Sequence, residues 1–71
     1  MEKYIVASSN PRLLSNGYKI AFLSLDLETY TNFVELAKVF ESYEEAHEEA
    51  EQDKSNHDFV LHLEVAKKVS R

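Results

Sequence analysis

The stretch Asn32-Phe33-Val34-Glu35-Leu36-Ala37-Lys38-Val39-Phe40-Glu41-Ser42-Tyr43-Glu44-Glu45 decides the architecture, because residues 32–41 fit two periods at once. As a strand they place Val34, Leu36 and Phe40 on one face and Ala37 and Val39 on the other. As a helix they start from Asn32 as cap with Glu35 at the third position, and run on to residue 53 with Phe33, Leu36, Phe40, Tyr43, His47 and Ala50 in a stripe at 3.6 spacing. We read a strand. A helix of about 22 residues would be about 33 Å long, more than the short strands of so small a domain can cover. The better cap at Ser42 would also be wasted inside it.

Downstream, Ser42 followed by Glu45 is a capping box, with the Ser hydroxyl accepting from the Glu45 N–H and the Glu45 side chain reaching back. A helix is predicted from Tyr43, ending in Asp53-Lys54-Ser55-Asn56. Tyr43, Ala46, His47 and Ala50 share one side, and the two alanines permit close approach to a sheet. The other side is almost entirely Glu. Beyond it, residues 59–66 alternate, with Phe59, Leu61, Leu63 and Val65 facing one way and Val60, His62, Glu64 and Ala66 the other. This pattern predicts a half-buried last strand.

Upstream, Tyr4, Ile5 and Val6 have the β-branched and aromatic content of a first strand over residues 3–7. Ser8-Ser9-Asn10-Pro11 and Ser15-Asn16-Gly17 are turn chemistry. Residues 18–25 then set Tyr18, Ile20 and Phe22 against Ala21, Leu23 and Leu25, the pattern of a central strand covered on both sides. The expectation is one α+β domain over residues 1–71: a small antiparallel sheet with one helix packed on one face, in the order β-β-β-α-β. The alternative is β-β-α-β with one long helix. The expected core is Ile5, Ile20, Phe22, Leu36, Phe40, Tyr43, Ala46, Ala50, Phe59, Leu61, Leu63 and Val65.

A chain of 71 residues hides only about 60% of its unfolded surface on folding, so its stability should be marginal and dimerisation through an exposed sheet edge is open to it. There is no Cys, hence neither a disulfide framework nor a thiolate metal site. No apolar run has the length of a signal peptide or a membrane span, and the expected location is the cytoplasm. Thirteen acidic and eight basic residues leave a net charge of −5, which argues against direct binding of nucleic acid or anionic membrane. Glu41, Glu44, Glu45, Glu48, Glu49, Glu51 and Asp53 are seven of the thirteen acids. The charge is therefore concentrated on one helix.

Residue types that carry chemistry are sparse. His57 and His62 lie across a loop-to-strand boundary without a CxxC or HExxH, so no metal ligation is expected. His47 is expected at the edge of the helix–sheet contact with one nitrogen wet, and His62 facing solvent. The glutamates look solvated, whereas catalytic carboxylate pairs need a cleft that separates their pKa values. Ser8, Ser9, Ser15 and Ser24 lack a nucleophile-elbow glycine frame, and one glycine cannot build a phosphate loop. Neither enzyme nor cofactor is expected. Glu44 with Glu48, and Glu45 with Glu49, are like-charge pairs at i,i+4, each destabilising by roughly 0.2–0.5 kcal/mol. Such a face either keeps a small protein soluble or binds a basic partner, and in the second case the residues are Glu44, Glu45, Glu48, Glu49 and Glu51. Tyr18, Tyr30 and Phe33 are expected in the core or on the sheet surface, with an aromatic anchor beside the acidic face as the alternative.

The run Ala37-Lys38-Val39-Phe40-Glu41-Ser42-Tyr43-Glu44-Glu45-Ala46, together with the strand Lys3-Tyr4-Ile5-Val6, resembles short uncharacterised proteins encoded by phages and prophages of Gram-positive bacteria. In those, an A-x-x-F strand leads through a capped S/T-x-E-E-A turn into a helix and a closing strand. The resemblance covers the last half of the chain, supports a strand before Ser42 and implies no catalytic residue. It implies a setting in which small acidic proteins bind a host enzyme or defence complex, sometimes imitating the charge of DNA. The functional expectation is a non-enzymatic protein–protein interaction module, its partner a host protein or a second copy. The alternative is an acidic DNA-mimic inhibitor of a nucleic-acid enzyme, of the anti-restriction or anti-CRISPR type. Against that alternative, the acids lie on one helix instead of along a duplex-like path.

Overall fold

The computed structural model describes residues 2–14, 20–52 and 58–69. Strand β1 (Tyr4–Ser8) is followed by a 3-10 turn at Pro11–Leu13, β2 (Ala21–Leu23), β3 (Tyr30–Thr31) and a second 3-10 turn at Val34–Leu36. Then come α1 (Tyr43–Glu51), β4 (Asp58–His62) and α2 (Leu63–Val69). The sheet is antiparallel throughout, in the order β3-β2-β1-β4. This is an α+β fold in which a second helix closes the expected β-β-β-α-β succession.

Alternation along the central strands divides the core in two. Ile5 and Ala7 of β1, Phe22 of β2, Ala37 and Ala66 are buried together, with Ile20, Val34, Val39, Leu61 and Leu63 against them. Val6, Leu23, Phe40, Ala46 and Ala50 form the other layer, edged by Tyr4, Tyr30 and Val60. Thus α1 covers one face of the sheet and α2 the other, where the sequence led us to expect one helix on one face. A sheet whose central strands are apolar on both faces needs a cover on both. Full burial of Phe22, Ile5 and Val6 stabilises by about 1.5–3 kcal/mol each.

The expected last strand over residues 59–66 ends at His62, and this is a correction. Leu63 N–H still donates to Lys3 C=O at 2.8 Å, after which the chain turns into α2. Residues 63 and 66 stand one helical turn apart, so the helix carries Ala66 under Ile5, Ala7 and Phe22, where it is fully buried. A continued strand would have left it on the face with Val60 and His62. The local charges agree with a helix, Glu64 in the first turn and Lys67 and Lys68 in the last, each sign favourable at its end of the macrodipole.

Residues 32–41 are neither one strand nor one long helix. Leu36 N–H donates to Phe33 C=O and Ala37 N–H to Val34 C=O, closing the second 3-10 turn. The chain then runs extended between β1 and β2 where they diverge, bridged to Ser24 at Ala37 and to Tyr4 at Phe40. Lys38 N–H donates to Leu23 C=O at 2.9 Å, and Phe40 and Tyr4 exchange bonds of 2.7 and 3.0 Å. Ala37 and Val39 do lie opposite Phe40, as the strand reading has it. The 3-10 turn breaks the alternation before them, moving Val34 to the side of Ala37 and leaving Leu36 exposed. The third strand of the sheet is instead β3.

Of the expected core, Leu36, Tyr43, Phe59 and Val65 are exposed, while Val6, Ala7, Ala21, Leu23, Ala37 and Ala66 were absent from it and are buried. Before β2, Asn10 accepts from Arg12 N–H at 3.0 Å and Pro11 opens the first turn. Tyr18 and the expected turn at residues 15–17 lie outside the described residues, as do residues 53–56 and His57.

Candidate functional site

The position of α1 follows from its own sequence. Ser42 Oγ accepts from Glu45 N–H at 3.2 Å, satisfying one of the donors that a helix start leaves open. Ala46 and Ala50 are the residues buried against the sheet. They fix the rotation of the helix and with it the direction of every glutamate.

Four of the five acids divide between two flanks. Glu45, Glu48 and Glu49 line a groove of about 360 Å³ whose opposite wall is Lys38, Val39, Phe40 and Glu41. Glu51 lies on the other flank, its Oε1 3.4 Å from His47 Nδ1, and shares a hollow of about 260 Å³ with Tyr43, Asp58, Phe59 and Val60. Glu44 is exposed. Among the described residues, no basic side chain forms an ion pair with Glu44, Glu45, Glu48 or Glu49. Lys3 pairs with Glu41 at 2.8 Å, and Lys67 with Glu64 at 3.6 Å. The hydrogen bond from Lys3, and then its charge, holds the Glu41 carboxyl below the usual range. Lys38 Nζ stands 6.0 Å from the Phe40 ring centroid, at the far wall of the groove.

A second feature escaped sequence reasoning. Tyr4 stands edge-on to Tyr43 with centroids 5.9 Å apart, and its ring meets that of His62 at 4.9 Å. Tyr43 stacks on His47 at 5.6 Å and 19°. With Glu2 Oε1 3.2 Å from His62 Nδ1, a row Glu2–His62–Tyr4–Tyr43–His47–Glu51 crosses the surface. The i,i+4 spacing of Tyr43 and His47 was a legible part of this row. The pairing of Tyr4 with His62 comes from strand register, which no local signal encodes. His47 lies at the edge of the helix–sheet contact as expected, while His62, expected to face solvent, is half exposed with its ring against Tyr4.

The aromatic anchor candidates separate: Tyr30 packs at the edge of the α1-side core, whereas Phe33 is exposed. Among the described residues no group of three His, Asp or Glu side chains is placed to hold a metal ion. No described helix is long and apolar enough to cross a membrane. Compared with protein-family models, with curated proteins and with solved structures, the chain gives no match in any of the three.

Proposed function

We propose that the chain is a non-enzymatic protein–protein interaction module that presents α1 to a basic partner surface, with Glu44, Glu45, Glu48, Glu49 and Glu51 as its contact residues. One observation carries this reading. Four glutamates project from a helix anchored by Ser42, Ala46 and Ala50, and no described basic side chain neutralises them. The chain has cations to spare for Glu41 and Glu64, yet retains like-charge neighbours at i,i+4 that destabilise the helix. A partner's lysines and arginines would relieve that repulsion on binding and speed encounter. The setting is that of the phage and prophage accessory proteins that the residue 37–46 junction resembles, with action in the cytoplasm of the host cell on a host protein.

The test is capture from bacterial lysate by the wild type and by a Glu44→Lys, Glu48→Lys, Glu51→Lys variant, once circular dichroism shows that both fold. Retention of a protein by the wild type alone supports the reading. Equal retention by both would leave the glutamates a solubilising role and overturn it. If duplex DNA competes with the captured protein and salt weakens the complex steeply, the partner is a nucleic-acid enzyme engaged through its DNA groove.

A further inference from the structure

Strand β4 is an outer strand of the sheet, and no described strand pairs with its far side. Its register against β1 sets Tyr4 opposite His62, Val6 opposite Val60 and Ser8 opposite Asp58. One bond fixes the phase of the ladder, because Leu63 N–H donates to Lys3 C=O. In an antiparallel pair, hydrogen-bonded and non-bonded positions alternate, so Leu61 and Phe59 turn their main-chain groups toward β1. Those of Val60 and His62 therefore turn outward. Tyr4 agrees with this phase, since its N–H and C=O are engaged with Phe40 on the side away from β4.

We propose that this edge is the homodimer interface, formed by β4 of two copies running antiparallel about Val60. The strand Asp58-Phe59-Val60-Leu61-His62 complements itself under that symmetry. Val60 meets Val60 of the second copy with both pairs of outward groups in bonding phase. Phe59 meets Leu61 of the second copy on the α2 side, covering a ring that is 38% exposed in the monomer. Asp58, whose carboxylate accepts from the Tyr30 hydroxyl, faces His62 of the second copy on the α1 side. There His62 N–H can donate to Asp58 C=O, a carbonyl with two lone pairs. Apolar contact in one cross-strand pair and a main-chain hydrogen bond in the next are the combinations that stabilise sheets.

A foreign strand would need the same bonding phase and the same apolar pairing at 59 and 61, and a second copy supplies both by construction, as a twofold interface requires. Of the usual edge guards β4 has no Pro, Lys or bulge, and its one charged residue, Asp58, stands at its end. Around a twofold axis through Val60, perpendicular to the sheet, both α1 helices lie on one face of an eight-stranded sheet. The proposal stands apart from the reading of the acidic face, since none of the five glutamates enters it.

Sedimentation equilibrium of the full chain tests it, with His62→Glu and His62→Lys as a matched pair. His62 is exposed, so both variants should fold. The first sets a second acid opposite Asp58 and should weaken the dimer about tenfold or more; the second sets a cation there and should dimerise at least as well as the wild type. Hydrogen exchange gives the second readout: the outward Val60 amide should become protected with rising concentration, in step with the dimer. A chain that stays monomeric at millimolar concentration overturns the proposal. So does a dimer that leaves the Val60 amide unprotected, or equal dimerisation of the two His62 variants.

Discussion

The Tyr30 hydroxyl donates to Asp58 Oδ2 across the α1 face of the sheet, linking the two outermost strands, β3 and β4, over the strands between them. The path is open because the residues beneath it are small: Ser8 and Ala21, paired in register, are both fully buried. Hydrogen bonds to charged groups contribute about 1.5–3 kcal/mol. Tyr30→Phe should therefore lower stability by about that amount, a fall in Tm of about 4–8 °C per kcal/mol for a domain of this size. Thermal unfolding followed by circular dichroism measures it, and an unchanged Tm would deny the bond any structural weight.

Ser42→Ala removes the acceptor that holds Glu45 N–H. Loss of such a cap costs about 0.5–2 kcal/mol, while Ser42→Asp should recover most of it. Urea denaturation of the three proteins is the measurement, and a Ser42→Ala chain as stable as the wild type would contradict the role given to the cap.

Placing Lys at 48 replaces the repulsion from Glu44 with an i,i+4 attraction. Glu48→Lys should raise helix stability by roughly 0.2–0.5 kcal/mol while weakening capture of a basic partner. Stability and binding then move in opposite directions. A solubilising face alone predicts no change in capture.

Helix α2 can be checked against the strand it replaced in expectation. Ala66→Asp buries a charge against Ile5, Ala7 and Phe22 and should cost several kcal/mol. Val65→Asp, at an exposed position, should stay within about 0.5 kcal/mol of the wild type. If residues 59–66 formed one strand, the order of the two would reverse.

Acid stability has a local source in the β2–β3 connection. Asp26 accepts from the N–H groups of Thr29 and Glu28 and from the Thr29 hydroxyl. These bonds, the Thr29 N–H first, hold its carboxyl below its ordinary value of 3.8. The folded state thus releases the Asp26 proton more readily than the unfolded chain does. Its contribution is complete above about pH 3.8 and is lost as pH falls through the lower folded value. Glu41, lowered from 4.5 by Lys3, acts in the same direction from a slightly higher pH. Asp26→Asn should flatten the acid limb of a stability-against-pH curve. A limb of unchanged slope would place the acid sensitivity elsewhere.

Much of the local structure is legible in the sequence. Ser42 as a cap, the helix from Tyr43, the β content of Tyr4, Ile5 and Val6, and the opposed faces of Phe22 and Leu23 all appear as read. The acids on α1 were legible as residues. Their division into a Glu45–Glu48–Glu49 flank and a Glu51 flank was not, because it depends on which walls the rest of the chain raises beside the helix.

What the sequence by itself determined are features made within one turn or one strand: a side-chain oxygen three residues from the N–H it receives, or alternate side chains on opposite faces of a pleat. These rest on short-range dihedral preferences and on hydrogen bonds that need no distant partner. Tertiary structure decided the rest. Residues 37–40 are extended because β1 and β2 diverge and leave groups for Lys38 and Phe40 to bond. The strand at β4 yields to α2 at Leu63 because the face of Ile5, Ala7 and Phe22 opposite α1 needs a cover. Alternation and helical spacing both ran through those residues, and the competition between them was settled by burial against partners far away in the chain.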